Sequence, residues 1–329
     1  MGNDMRYLRA PEVEFSVEVK ACDENVTNAL KHGMTGPDKT MSMMSPFSSL
    51  AVLNSCLMAL ILTVTVSAQD DAAMTAEAIV KRYSEGNQSK SEMAYVKMET
   101  QLPDAPATER RILLAYQKQG EGESMFMRLL FPKEVEGVTL LATTSEKQEL
   151  AYHFFLPALG KMKQLTPEAR QGSFLGSDYT FEDLLREVPE WHEYKRLADG
   201  EVEGSACYVV RASESRKDVE SAYAFRDLFI EKGSFHLRKI AYYDSKESLV
   251  KLLTASGYDS KEVKGKTTRP RVAVMQSVES KSKTTFTVIE GRVDEDIDAE
   301  YFTPKKLENW PLLDVEEFIF DLGISVDVN

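Results

Sequence analysis

Cysteine and histidine are scarce in this sequence. The 329 residues include three cysteines and four histidines. Cys22 and Cys56 precede the position at which we expect an N-terminal segment to be removed, which leaves Cys207 as the cysteine of the mature chain. One cysteine can form no internal disulfide, and the isolated histidines lack the spacing of metal ligands. The sequence therefore excludes a disulfide-stapled fold and predicts neither a metal nor another cofactor.

Positive charge is also in deficit. Lys and Arg number 40 against 53 Asp and Glu, which gives a formal net charge of −13. A nucleic-acid partner requires a basic stripe, and none is present, so no nucleic-acid partner is predicted. The most basic run, Lys261–Arg271, is interpreted as a solvated hairpin loop, with contact to an anionic membrane surface as the alternative. The 43% of hydrophobic residues is enough for a sizeable core and a globular protein.

An uncharged apolar run precedes the globular part. Residues 50–66 are about as long as a short transmembrane helix, but they lead into Val66-Ser-Ala68, small residues of the kind that a signal peptidase cuts after. We therefore predict a signal peptide over residues 41–68, cleaved after Ala68, and a periplasmic mature protein. The alternative is an uncleaved membrane anchor. A lipoprotein signal at Cys56 is disfavoured, because the apolar run continues beyond that cysteine.

The first 40 residues are polar, acidic and without periodicity. A signal peptide normally begins within a few residues of the initiator methionine. We interpret residues 1–40 as a disordered extension produced by a misassigned start, with the true start at Met41, Met43 or Met44.

The mature chain begins with one amphipathic helix and continues mainly as strands. Thr75 suits the N-cap of a helix over Met74–Tyr83, which places Ala76, Ile79 and Val80 on one face. Turn formers separate the strand-like runs that follow, at residues 93–102, 109–118, 124–131, 138–145, 150–156, 193–198, 206–212, 222–231, 235–244, 249–255, 271–280 and 284–293. The pattern predicts a mainly β (α+β) fold: one strongly curved antiparallel sheet, or incomplete barrel, within residues 69–310.

Two predicted strands are apolar on both faces. They are the runs 124–131 and 150–156. One face of each run carries the residues that we expect to line a hydrophobic cavity: Met125, Met127, Leu129, Phe131, Tyr152, Phe154 and Leu156. The opposite face carries Phe126, Leu130 and Phe155. A sheet that is apolar on both sides must be covered on both sides or enclose a cavity, and ordinary core packing is the alternative for each single residue.

The stretch Gly172–Leu185, GSFLGSDYTFEDLL, interrupts the strands. A Thr-Pro helix start before it and the capping motif Thr180–Asp183 within it predict helix, hinge and helix. We interpret it as a lid hinged at Gly172 and Gly176, with a simple pair of helix caps as the alternative. The apolar residues that the lid would present to the sheet are Phe174, Leu175, Tyr179, Phe181, Leu184 and Leu185.

Catalytic chemistry is not predicted. Ser177 lacks the Gly-x-Ser-x-Gly context of a nucleophile elbow, and the adjacent Asp178 cannot orient a base as a triad acid does. Cys207 lies in a strand-like run and is expected to be a small buried residue.

Several of these motifs together resemble a known family. They are Phe131-Pro132, Gly137–Leu141, Tyr152–Pro157, Gly172–Leu184, Tyr243-Asp244 and Tyr301-Phe302. Their order is similar to that of the outer-membrane lipoprotein-sorting proteins of the LolA-like superfamily. The resemblance covers residues 74–308 and implies an incomplete antiparallel barrel around a hydrophobic cavity, closed by a helical lid.

The resemblance also implies a function. Members of this superfamily are similar to LolA in carrying acylated or lipidic cargo across the periplasm, and many are associated with inner-membrane transporters of the resistance-nodulation-division (RND) type. The expectation is a non-catalytic carrier of lipid or lipoprotein acyl chains with transient membrane contact. A non-carrier β-rich accessory subunit of an envelope transporter is the first alternative, and an envelope hydrolase the second. The tail, residues 311–329 with Trp310 before it, departs from the family and is expected to cover a sheet edge, with contact to a partner as the alternative.

Overall fold

The computed structural model describes residues 74–86, 89–120, 122–145, 149–166, 168–184, 189–216, 221–258, 263–264, 269–310, 315, 319–320 and 323. The predicted signal peptide, the extension before it and most of the tail lie outside these residues. The helices are α1 (Ala76–Gly86) and α2 (Pro304–Glu308). The strands are β1 (Ser91–Gln101), β2 (Thr108–Gln119), β3 (Gly122–Phe131), β4 (Thr139–Thr144), β5 (Leu150–Leu156), β6 (Lys161–Gln164), β7 (His192–Arg196), β8 (Gly200–Val202), β9 (Ser205–Glu214), β10 (Phe225–Glu231), β11 (Leu237–Tyr243), β12 (Leu249–Ser256), β13 (Val263–Lys264), β14 (Val272–Ser277) and β15 (Lys283–Val293).

All these strands belong to one sheet. The order across it is β6-β5-β4-β3-β2-β1-β15-β14-β12-β11-β10-β9-β7, with β8 beside β9 and β13 beside β15. Every pairing is antiparallel except that of β13 with β15. The outermost strands of the order, β6 and β7, do not pair with each other among the described residues, so the sheet is open. The predicted mainly β fold built on an incomplete antiparallel sheet is confirmed.

The two meanders meet where the first strand of the chain pairs with the last. Met98 of β1 lies opposite Phe286 of β15, and Gln101 lies opposite Lys283. This long-range pairing makes one continuous surface from the two halves of the chain. The predicted strands agree with β1 to β5, with β7, and with β9 to β12, β14 and β15; the short strands β6, β8 and β13 were not predicted.

One face of the sheet, which we call the inner face, carries two joined apolar clusters. The first is built on β1 to β5 and includes Met98, Met127, Leu129 and Tyr152. The second is built on β9 to β12 and on α1, whose Ile79 and Val80 are fully buried. Phe286 packs against both clusters. Helix α1 begins as predicted, because the Thr75 hydroxyl accepts a hydrogen bond from the Ala78 N–H at 3.3 Å.

The opposite face of β1 to β4, which we call the outer face, is covered by the C-terminal segment, of which the structure describes residues 297–310, 315 and 319. Phe302, Leu307, Trp310, Val315 and Ile319 pack in one cluster with outer-face residues of the strands. The indole of Trp310 meets the Phe126 ring edge-on, with 5.8 Å between ring centroids. The prediction that this tail covers a sheet edge was therefore wrong for its described residues: Trp310, Val315 and Ile319 pack on a face, because the outer-face residues of β1 to β4 are apolar and need a cover. One hydrogen bond does reach the edge strand, from the Met162 N–H to Glu308 Oε1 at 2.5 Å.

Candidate functional site

Residues 172–184, the covering segment, lie against the inner face. A tight hairpin opens the segment: the Phe174 N–H donates to the Tyr179 carbonyl at 2.7 Å, and Ser173 and Thr180 form a β-bridge. A single 3-10 turn, Glu182–Leu184, follows it. Another short turn, Glu168–Gln171, precedes it. The predicted helix, hinge and helix are thus two 3-10 turns around a small hairpin among the described residues, because Gly172, Gly176 and the Ser177-Asp178 pair that follows them favour turn conformations.

The two predicted hinge glycines have different roles. Gly176 has φ +74°, and a Cβ there would meet no atom within 4 Å. Its conformation, rather than lack of space, requires glycine. Gly172 is not in the left-handed region; a Cβ at this position would lie 3.0 Å from the Ala169 carbonyl oxygen. Of the two predicted hinge residues, only Gly176 therefore has a positive φ; at Gly172 a close approach of the backbone is the constraint.

Three aromatic rings join the covering segment to the sheet. Phe181 meets Phe154 of β5 edge-on with 5.8 Å between centroids, and it meets Phe174 in the same way at 5.6 Å. Phe174 is fully buried. The predicted residues that share this apolar cluster are Met125, Met127, Leu129, Tyr152 and Phe154 from the sheet, and Phe174, Leu175, Phe181 and Leu184 from the segment.

The structure places the remaining predicted residues elsewhere. Tyr179 packs in the second inner-face cluster, with its ring 4.7 Å from that of Phe286. Phe131 and Leu156 lie at strand ends, 41% and 36% exposed, so neither lines the buried cluster. Each is the last residue of its strand, where alternation no longer predicts burial. Leu185 lies outside the described residues.

A buried ion pair ties the covering segment to β12. Asp183 Oδ2 accepts a hydrogen bond from the ammonium group of Lys251, and their side chains are 0% and 8% exposed. The same carboxylate accepts from the Thr180 N–H at 2.7 Å and from the Thr180 hydroxyl at 2.9 Å. The Tyr223 hydroxyl adds a bond of 3.0 Å to Asp183 Oδ1. Burial, reinforced by the charge of Asp183, raises the pKa of Tyr223 above its ordinary range.

A second carboxylate fastens the hairpin of the segment to β15. Asp178 accepts hydrogen bonds from the Ser282 and Thr284 hydroxyls, the latter at 2.7 Å. In return, the Asp178 N–H donates to Thr284 Oγ1 at 3.0 Å. Sequence reasoning identified Asp178 and Asp183 as acids of the motif but missed their partners, because these lie far away along the chain on other strands.

An open cleft of about 580 Å³ lies beside these anchors. Its wall includes Gly176, Ser177 and Asp178 from the covering segment and Lys251 from β12. Its apolar lining includes Leu102 and Val278 from two hairpin connections and Leu249 and Val250 from β12. The cleft is thus mixed in polarity and lies next to the segment, whereas the cavity predicted from the strand pattern coincides with a packed cluster.

Ser177 has a structural environment. Its hydroxyl accepts from the Tyr179 N–H at 3.2 Å, as expected for a residue that caps a turn.

Cys207 is buried, and burial raises the pKa of its thiol. The described residues contain no group of three His, Cys, Asp or Glu side chains that could hold a metal ion. Among the same residues, no helix is both long and apolar enough to span a membrane.

Comparisons with known proteins identify relatives of this fold. The model of a family described as an uncharacterized protein matches residues 121–309. A solved domain from Vibrio parahaemolyticus, described as that of an outer membrane lipoprotein-sorting protein, is 21% identical, with a TM-score of 0.65 over 71% of this chain and 98% of its own. A DUF1329 family protein from Desulfovibrio piger is 19% identical, with a TM-score of 0.65 over 70% of this chain and 97% of its own.

A LolA superfamily protein from Nitrosomonas europaea is 17% identical, with a TM-score of 0.58 over 71% of this chain and 99% of its own. The comparison with curated proteins gave no match. At these identities the likeness establishes the fold, and the resemblance stated from the sequence motifs is confirmed at that level.

Proposed function

Because the chain belongs to the family whose model matches residues 121–309 and shares the fold of a lipoprotein-sorting domain, we propose that it is a carrier of lipid or lipoprotein acyl chains. In this proposal the mature protein works in the periplasm, without catalysis, between the inner and the outer membrane. An RND-type transporter of the inner membrane is its proposed partner.

The contact of Phe181 with Phe154 carries the proposal. The covering segment buries its aromatic residues on the inner face through apolar contacts, and its polar anchors, Asp178 and Asp183, bind other strands, β15 and β12. Apolar contacts of this kind are not directional, so an acyl chain can replace the side chains of the segment on the same face. About 0.8 kcal/mol is gained for each methylene removed from water, which gives a long acyl chain a strong preference for such a face.

In this mechanism the structure corresponds to the closed, unloaded carrier. The covering segment occupies the inner face, and loading requires it to move away from Met127, Tyr152 and Phe154. The protein then exists in a closed and an open state. The apparent Kd for an acyl chain equals the intrinsic Kd of the open state divided by the fraction of molecules that are open. Weakening the segment's own contacts must therefore tighten binding, whereas damage to the sheet side must abolish it.

Two variants on opposite sides of the same contact test the proposal. Phe154→Arg places a charge on the sheet side and is expected to abolish uptake of a fluorescent fatty acid. Phe181→Ala removes the competing side chain and is expected to increase fatty-acid affinity several-fold. Both variants require a check of folding by circular dichroism. Wild-type protein that binds no fatty acid, combined with a Phe181→Ala variant that is destabilised and equally inactive, would establish a filled core instead. That outcome supports the alternative of a non-carrier accessory subunit.

The location is tested separately. We propose that residues 41–68 are removed as a signal peptide, so N-terminal sequencing of exported protein should begin at Gln69. Retention of residues 50–66 in the mature protein would instead establish a membrane anchor. Deletion of residues 1–40 should leave export intact, and loss of export would contradict the proposed start at Met41, Met43 or Met44.

A further inference from the structure

Exposed large hydrophobic side chains are concentrated at one end of the sheet. The described residues contain six of them: Leu102 (47%), Phe131 (41%), Leu156 (36%), Leu159 (49%), Val278 (47%) and Phe320 (79%). All except Phe320 lie in or next to the connections β1–β2, β3–β4, β5–β6 and β14–β15.

The strand registers bring these four connections to the same end. Gln101 at the end of β1 lies opposite Lys283 at the start of β15. Phe131 at the end of β3 lies opposite Arg111 near the start of β2. Phe155 near the end of β5 lies opposite Thr139 at the start of β4. The four connections therefore follow one another along the sheet end, and each contributes at least one exposed apolar side chain. We call this surface the apolar tips.

Phe320, the sixth exposed hydrophobic residue, lies away from the apolar tips. It lies in the C-terminal segment's continuation beside Gly323, whose carbonyl accepts a hydrogen bond from Arg292 at 3.1 Å. Arg292 is near the end of β15, opposite Met93 near the start of β1. Phe320 is thus an exposed hydrophobic residue away from the apolar tips, and serves as a matched control.

We propose that the apolar tips dock on the surface of a membrane containing anionic lipid. The β5–β6 connection argues for lipid as the partner: exposed Leu156, Pro157 and Leu159 precede exposed Lys161 and Lys163, and residues 156–164 contain no acidic residue. Positive side chains that flank an apolar tip match an anionic bilayer, where the tip enters the headgroup region and the lysines contact phosphates. The other three connections carry exposed acidic side chains, Asp104, Glu134 and Glu279, so the β5–β6 connection is the part of the apolar tips that contacts anionic lipid in this proposal.

The docking surface adjoins the covering segment. Leu102 and Val278 belong to the apolar tips and also line the open cleft, together with Gly176 and Ser177 of the segment. A protein docked by its tips would therefore present the cleft and the segment to the membrane surface. A role of the apolar tips in loading or release of cargo rests on the proposed carrier function, but the docking itself does not.

Vesicle flotation of the full mature chain tests docking. Wild-type protein is expected to float with phosphatidylglycerol vesicles at low salt, and less with phosphatidylcholine vesicles or at high salt. The double variant Phe131→Ser with Leu159→Ser is expected to reduce the partition coefficient at least tenfold, whereas Phe320→Ser should leave it unchanged. The variant Lys161→Gln with Lys163→Gln should weaken binding to phosphatidylglycerol and leave binding to phosphatidylcholine unaltered. All these side chains are exposed, so thermal unfolding should confirm that each variant is folded.

Two results would overturn the inference. Wild-type protein that floats with neither type of vesicle would assign the tips to a protein partner, and a Phe320→Ser variant as impaired as the double variant would remove their special role. Measuring the fatty-acid affinity of the same variants in solution, without vesicles, distinguishes the docking proposal from the carrier proposal. Loss of vesicle binding with unchanged fatty-acid affinity supports the tips as a distinct surface, whereas vesicle binding without any fatty-acid affinity contradicts only the carrier proposal.

Discussion

Lys251 and Asp183 form a buried ion pair between strand β12 and the covering segment. Removal of one partner from such a pair leaves a charge without compensation in a buried environment. Lys251→Met should therefore lower the free energy of unfolding by about 3 kcal/mol and increase amide exchange in residues 172–184. The exposed Lys246→Met in the adjacent connection removes the same charge and is the control. Denaturant unfolding and hydrogen exchange provide the measurements.

The double variant Lys251→Met with Asp183→Asn refines this prediction. Loss of both charges removes the uncompensated carboxylate, so the double variant should be more stable than Lys251→Met alone. If Lys251→Met leaves exchange in residues 172–184 at the wild-type level, the ion pair does not hold the segment.

The strands were predictable from sequence because alternation is a local signal. Met125, Met127 and Leu129 do share the inner face, and Phe126 and Leu130 the outer one. The Asp183–Lys251 pair was not predictable, because 68 residues separate its members and nothing in the sequence indicates which of the many lysines reaches the carboxylate. The short strands β6 and β8 escaped prediction for a related reason: they contain few apolar residues and depend on a neighbouring strand.

The conformation of the covering segment could not be predicted from sequence for a different reason. Its glycines and capping residues were recognised, but the same residues suit a helix start and a hairpin, and only packing on the sheet decides between them. The position of Trp310 on the outer face could not be predicted either, because it also depends on packing between residues far apart in sequence.

The turn at Gly176 provides a prediction about the hinge. Because φ is +74° there, Gly176→Val should strain the turn by about 1–2 kcal/mol, raise exchange in residues 172–184 and alter the rate of lipid transfer. Gly176→Asn is the matched control, since Asn tolerates this conformation better. Ser177→Ala loses the hydrogen bond from the Tyr179 N–H, a loss of about 1 kcal/mol, and should keep most of the transfer activity. A folded Ser177→Ala protein without activity would indicate that the serine performs chemistry.

Arg128 anchors the C-terminal segment to the outer face. Its guanidinium donates to the Trp310 carbonyl at 2.8 Å and to the Leu307 carbonyl at 3.2 Å, and burial lowers its pKa to about 10. Trp310→Ala should lower the free energy of unfolding by about 3 kcal/mol, because it opens the packing around Phe126. Arg128→Met should lower it by about 2 kcal/mol, because two buried carbonyls lose their donor. Phe320→Ala, at an exposed position, should change it by less than about 0.5 kcal/mol.

Four buried tyrosines predict how stability depends on alkaline pH. Burial raises the pKa values of Tyr152, Tyr179, Tyr223 and Tyr258 above the ordinary value of 10.0. A raised pKa means that the folded state keeps these protons after the unfolded state has lost them. Their contribution to stability is therefore complete below pH 10 and decreases as the pH rises beyond that value.

Spectrophotometric titration of tyrosinate absorbance measures this effect. These four tyrosines should remain protonated in native protein above pH 10 and ionise together when the protein unfolds. Tyr179→Phe should remove one tyrosine from that late group, since its hydroxyl donates to the Ala273 carbonyl at 3.3 Å inside the fold. If these four tyrosines instead titrated near pH 10 in protein that keeps its circular dichroism spectrum, water would reach the inner-face clusters, and the closed packing of the covering segment would be wrong.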